Sequence, residues 1–253
     1  MIDNNSVLFS LPIQLNSSPA CIEKNSVKNQ DLLSVIAMLE SHIHKPMTIF
    51  SIGHNSNVSS KRLYEMMNVA CVIGACRKCE GSLYIWQGVD KIKHRLIQLF
   101  AETEAEACQV DMAKMFKVKS PPSIEELTTK FLKLYFYLGK QSIEIRDAVL
   151  LFSANGSKSQ TILRRLYCIA NILATFQVID HPHHRAQFII NIDVTLLAKH
   201  YYERNNPQKK MSIDVCNILT LLNHVGTNKL DKIYDQRQSS FTLYLDTIVV
   251  TDD

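Results

Sequence analysis

Apolar residues recur every three or four positions in a first group of segments. In "DLLSVIAMLESHIHKP", residues 31–46, Leu32/Leu33, Ile36, Leu39 and Ile43 make one helical stripe, which Pro46 ends. In "VSSKRLYEMMNVACVIG", residues 58–74, Leu63, Met66/Met67, Ala70 and Ile73 make another, with Ser59 or Ser60 to cap it and Gly74 to stop it. Between them "MTIFSIGHNSN" predicts a short helix or turn. The period then changes. In "ACRKCEGSLYIWQG", Tyr84 and Trp86 alternate on one face beyond a Glu80-Gly81 turn, which predicts a β-hairpin. Residues 31–89 therefore read helix, helix, helix, hairpin. Residues 1–30, rich in Asn and Ser and without a period, predict a flexible leader.

The same order restarts after a helical connector, residues 90–121. "SIEELTTKFLKLYFYLGK" predicts a helix with a capping box from Ser123 to Glu126 and a stop at Gly139. "SIEIRDAVLLFSANG" and "SKSQTILRRLYCIANILATF" predict two more helices. "QVIDHPHHRAQFIIN" predicts a hairpin with His181, His183 and His184 near its tip. Residues 122–192 thus repeat residues 31–89, an internal duplication of small-domain size. The tail, residues 193–253, predicts an α/β segment: helices in "VTLLAKHYYERNN" and "MSIDVCNILTLLNHVG", then a strand in "FTLYLDTIVV". Laying Asn217 on Asn171 puts Lys210 and Met211 where Arg164 and Arg165 stand, so the tail reads as a degenerate third copy or an interaction module. The predicted fold class is mainly α with small β-hairpins (α+β). A three-helix unit closed by a hairpin is the winged variant of helix-turn-helix, so the chain reads as tandem winged-helix domains.

Composition narrows the classes. Hydrophobic residues make up 46% of the 253, enough for packed cores throughout. No apolar run approaches the ~20 residues of a membrane span, and the first residues lack the basic and apolar regions of a secretory signal. Seven cysteines without framework spacing point to a reducing compartment and free thiols. Cys76-Arg77-Lys78-Cys79 has no second ligand pair at finger spacing, so no metal is expected. No phosphate loop, G-x-S-x-G or H-E-x-x-H occurs, so the expectation is a chain without enzymatic activity, cofactor or small-molecule substrate. The net charge of +4 is mild; residues 122–192 hold 8 Lys/Arg against 5 Asp/Glu, while the tail has 7 against 8. Any nucleic-acid binding would rest on a few placed cations.

Those cations sit at one place in each repeat. Lys61-Arg62-Leu63-Tyr64 and Arg164-Arg165-Leu166-Tyr167 head the third helix of each unit, 103 residues apart, and Asn68 and Asn171 follow each Tyr by four. Burying an arginine pair is costly, whereas a major groove offers partners: an arginine can donate two parallel bonds to guanine O6 and N7. The alternative is a solvated first turn that pairs with a nearby acid. Tyr64 and Tyr167 read as packing residues with a hydroxyl at the interface, and Asn68 and Asn171 as makers of local backbone hydrogen bonds.

This pattern resembles the E2-factor/DP transcription-factor family, whose motif is R-R-x-Y-D followed by x-x-N-V-L. Two units in one chain resemble the family's atypical branch, whose tandem winged helices bind DNA as a built-in pseudodimer. Trp86-Gln87-Gly88 is similar to the family's W-x-G strand end. The resemblance implies double-stranded DNA as partner, transcription regulation and a nuclear location. Its implied DNA-contacting residues are Lys61, Arg62, Tyr64, Arg164, Arg165 and Tyr167, with Lys158 on phosphate. The sequence departs from the motif: Lys61 replaces the first arginine, and Glu65 and Cys168 replace the aspartate. Lysine cannot form the planar fork of arginine. The little chain left outside the folded units keeps a second reading open. In it the protein is a non-catalytic, DNA- or protein-binding subunit of a nuclear DNA- or chromatin-modifying complex, with partners on the connector or tail.

Overall fold

The computed structural model describes residues 26–54, 56–153, 159–181, 186–205 and 218–251. Among them the chain is mainly helical with two small three-stranded antiparallel sheets, an α+β architecture. The first group of elements is α1 (Ser26–Glu40), β1 (Pro46–Met47), α2 (Ile49–His54), α3 (Ser60–Val72), β2 (Cys76–Cys79) and β3 (Leu83–Trp86). Then come α4 (Lys91–Ala107) and α5 (Met112–Met115). The second group repeats the order of the first: α6 (Ile124–Leu138), β4 (Ser142–Glu144), α7 (Ile145–Ser153), α8 (Ser159–Thr175), β5 (Ile179–Asp180) and β6 (Gln187–Ile190). The tail adds α9 (Val194–Asn205) and α10 (Ile218–Thr251).

The two sheets share one topology. Their orders are β1-β3-β2 and β4-β6-β5, so the return strand of each hairpin is central and a short strand after the first helix covers its free edge. These covering strands were not predicted, because two or three residues are too few to show alternation. Three other expectations are corrected. Residues 26–30, read as leader, belong to α1, which begins ahead of the first position of the apolar stripe, Leu32. Residues 1–25 lie outside the described residues. "FTLYLDTIVV", read as a strand, is helical in α10. Its β-branched and aromatic residues favour strands locally, but Tyr234, Phe241, Tyr244 and Leu245 recur at helical spacing and pack on the core, which decides the outcome. The tail thus contains no strand among the described residues, against the α/β reading. Lys210, Met211 and Asn217, which carry the idea of a third copy, lie outside them.

Other local signals hold. Ser123 caps α6, accepting from the Glu126 amide at 3.0 Å, though the Glu126 carboxylate takes the Lys119 amide at 3.1 Å instead of closing the box. Gly139 ends α6 in the left-handed region at φ 62°. The predicted α3 stripe, Leu63, Met66, Met67, Ala70 and Ile73, is fully buried.

Each sheet is pinned to its own first helix. Trp86 Nε1 donates to Glu40 Oε1 at 2.8 Å, and the Val89 amide donates to the same oxygen at 2.9 Å. In the second group, Tyr135 Oη donates to the Phe188 carbonyl at 3.0 Å. The groups also pack on each other. α3 lies on α6 and α8, and reciprocally α8 lies on α1 and α3. This is the contact pattern of a local two-fold, in which one patch meets its own equivalent. Away from α3 and α8, the Trp86 ring stacks on Phe176 at 6.1 Å.

The tail docks on the connector and on α6. Glu104 of α4 is 1% exposed and meets Arg237 of α10 at 2.7 and 3.0 Å. Tyr202 Oη and Tyr234 Oη donate to the same carboxylate at 2.5 and 3.2 Å. Gln238 Nε2 donates to the Leu138 carbonyl at 2.8 Å, at the end of α6. One turn away, a Cβ on Gly139 would stand 2.6 Å from the Tyr234 ring. Gly139→Ala should therefore cost about 1–2 kcal/mol for its left-handed backbone, plus the cost of displacing Tyr234. A thermal melt checks this, and an unchanged melting temperature would contradict the docking of α10 at this point.

Candidate nucleic-acid interface

The inner faces of α3 and α8 fix what their outer faces present. Leu63 and Met66 anchor α3, and Leu166, Ile169 and Ala170 anchor α8, all fully buried. The intervening positions are thereby turned outward. Lys61 and Arg164 are exposed; Arg62 and Arg165 are half-buried. Tyr64 and Tyr167 are 47% and 39% exposed. These residues form equivalent pairs at the same spacing in sequence, and the structure brings the two sets to a single contact. The Cys168 thiol donates to Glu65 Oε2 at 3.2 Å, and these residues are themselves an equivalent pair, 103 positions apart.

Burial first, then the hydrogen bond and charge of Glu65, push the Cys168 thiol up to about 12, while Arg62 and Lys61 pull it the other way. Cys168 therefore remains a protonated donor at physiological pH. The positions that hold the motif's aspartate in the resembling family thus meet as one acid and one thiol. A second carboxylate there would set like charges together. Lys61 and Arg62 act electrostatically on Cys168, and Arg164 and Arg165 lie about one helical turn before it on α8. The contact that joins the two helices therefore lies just past the basic head of each.

The cations are not equally available. Arg165 Nη1 donates to the carbonyl of Pro122, just before the α6 cap, which ties this arginine to its own unit. Arg164 and Lys61 are the more exposed of the four.

The hairpins flank the same ends. On the first, Arg77 and Lys78 are exposed on β2, and Lys78 Nζ lies 5.9 Å from the centroid of the Tyr64 ring. On the second, Phe188 receives the edge of Tyr167 at 6.1 Å and stacks with His181 at 4.5 Å, fastening the hairpin to α8. Lys158 and the hairpin-tip residues His183 and His184 lie outside the described residues.

The asparagines differ from the expectation of local backbone bonds. Asn68 is 4% exposed and its Oδ1 has no hydrogen-bond partner, whereas Asn171 is exposed. The difference follows from packing: α6 covers α3 more fully than α1 covers α8. Sequence reasoning also missed the Glu65–Cys168 contact, treating both residues only as losses from a motif. A signal was present in the unbroken run Met66-Met67-Asn68-Val69-Ala70, which is buried throughout. A helix enclosed on that many sides has a neighbour beyond its own unit.

Cys76 and Cys79 stand at the two ends of β2, and among the described residues no group of three or more His, Cys, Asp or Glu side chains could hold a metal ion. No helix among them is long and apolar enough to cross a membrane. Compared with known protein families and with curated proteins, the chain matches no family model and no curated sequence.

Proposed function

We propose that the chain is a double-stranded DNA-binding protein made of two winged-helix units, with the heads of α3 and α8 as its reading elements. The observation that carries this reading is the Glu65–Cys168 contact, which joins α3 and α8 just past their basic heads, Lys61-Arg62 and Arg164-Arg165. A two-fold arrangement of reading helices matches the pseudo-symmetry of duplex half-sites. Because α3 and α8 touch, the half-sites abut, unlike helix-turn-helix dimers whose helices stand about 34 Å apart. Arg164 reads guanine in the major groove as a bidentate donor, and Lys61 contributes a point charge in the other half. Lys78 and Arg77 on the first hairpin meet phosphates. On the family resemblance, the role is that of a nuclear transcription regulator.

One observation favours the second reading, a non-catalytic subunit of a nuclear complex. Arg165 is engaged by Pro122 within its own unit, which leaves fewer cations free to read bases.

Titration of the full chain onto a duplex of random sequence, across a range of salt, tests DNA binding itself. With about four or five phosphates neutralised, log K should fall with log salt at a slope of about −4. Absence of binding at low salt would overturn the DNA reading and leave the protein-binding one.

A further inference from the structure

We propose that residues 7–15 of this chain occupy an apolar groove at the seam between the two repeated units. The groove holds a volume of about 430 Å³. α1 and α4 contribute Ile36 and Leu96 to its lining, and the turn from α8 to β5 contributes Phe176 and Val178. It lies at the seam because Phe176, which follows the third helix of the second unit, also stacks on Trp86 of the first sheet at 6.1 Å.

The lining is not evenly covered. Leu96, Phe176 and Val178 are buried, whereas Leu33 and Val89 are 49% and 43% exposed. Two large aliphatic side chains left in water beside an apolar groove form the kind of patch that another surface covers. Among the polar groups of the lining, Asp90 pairs with Lys91 at 2.8 Å, the Thr175 hydroxyl donates to the Asn171 carbonyl at 2.9 Å, and Lys93 has a partner of its own. What the groove lacks is apolar contact.

The chain carries a segment of that chemistry within reach. Residues 1–25 lie outside the described residues, and they end where α1 begins, the helix that brings Leu33 and Ile36 to the groove. Leu33 lies about 10 Å along the axis of α1 from Ser26. Residues 16–25 can span up to about 33 Å, so the stretch before them reaches the groove. Residues 1–30 have no period over their whole length, but within "VLFSLPIQL" Val7, Phe9, Leu11, Ile13 and Leu15 alternate with Leu8, Ser10, Pro12 and Gln14. An extended chain sets the first five on one face, and Pro12 suits such a chain and not a helix interior. The stretch contains no charged residue. Its tether to α1 gives it an effective concentration in the millimolar range, which favours it over the same segment of a second copy. Seated there, it bridges α1 of the first unit and the exit from α8 of the second.

The test needs no DNA, so failure of the DNA reading and failure of this one are distinct. In the full chain Phe9 is replaced by p-benzoyl-phenylalanine, and the dilute protein is irradiated, digested with trypsin and analysed by mass spectrometry. Position 9 should link within one chain to the peptide of residues 96–114, which holds Leu96, or to that of residues 166–185, which holds Phe176 and Val178. Leu33→Glu, a change at an exposed position, should abolish those links. Links that persist in Leu33→Glu, links only between two chains, or no link to either peptide would overturn the proposal. In a second measurement, Phe9→Asp combined with Leu11→Asp should raise the fluorescence of added anilinonaphthalene sulfonate several-fold, as the groove opens to the dye. An unchanged signal would also overturn it.

Discussion

Arg237→Met should lower the free energy of unfolding by about 3–5 kcal/mol. The reason is the charge it leaves behind. Glu104 and Arg237 side chains are only 1% and 11% exposed, and the guanidinium supplies two of the four hydrogen bonds to the carboxylate. Without it a buried anion keeps only the hydroxyls of Tyr202 and Tyr234. The loss should therefore exceed what the missing contacts alone imply. Adding Glu104→Gln to Arg237→Met should recover most of it, because a neutral amide leaves no buried charge and still meets both tyrosines, accepting from one through its oxygen and donating to the other hydroxyl through its nitrogen. Denaturant unfolding of the two variants beside the wild type measures both effects. A single variant within about 1 kcal/mol of wild type, the range of surface pairs, would mean that this ion pair does not hold the tail.

The second large effect concerns DNA. Arg164→Ala should remove about 1–3 kcal/mol of discrimination at one base pair, since a bidentate arginine is worth that much. Lys61→Ala should behave differently. It should weaken binding to all sequences alike and make the salt slope shallower by about 1, the mark of a phosphate or point-charge contact. Arg165→Ala should combine a loss in DNA binding with a loss in stability, because Arg165 also ties α8 to Pro122. Equilibrium binding of each variant to a matched and a mismatched duplex separates these outcomes. Equal loss on both duplexes for Arg164→Ala would contradict base reading by that residue.

Sequence periodicity made the repeated units legible, and physical reasons mark where it stopped. Helices α3, α6 and α8 carry long apolar stripes and end at or near glycine or a tight turn, so their patterns are strong. The turn after α8 is a partial exception. Gln177 has φ 56° where the first unit uses Gly74, so the same turn occurs with no glycine to announce it. Strands β1 and β4 are too short for any pattern and exist because the return strand of each hairpin offers an edge to cover. The tail misled because Phe241, Tyr244 and Ile248 suit a strand locally, while packing on α6 and α7 selects the helix. Glu104 falls in the segment read as a helical connector, and its partner Arg237 lies 133 residues away, beyond any local signal. The candidate site was half legible. The basic heads and tyrosines stood out by repetition, but their convergence depends on how two units pack, and Glu65 and Cys168 acquire meaning only when they touch.

The most direct single measurement is selection of duplexes from a randomised pool by the full chain and by Arg164→Ala, at two salt concentrations. The wild type should enrich one short site with abutting halves and a G·C pair that persists at the higher salt, and the variant should lose preference at that pair. Enrichment of no site by the wild type, or of an unchanged site by the variant, would contradict DNA reading by the head of α8.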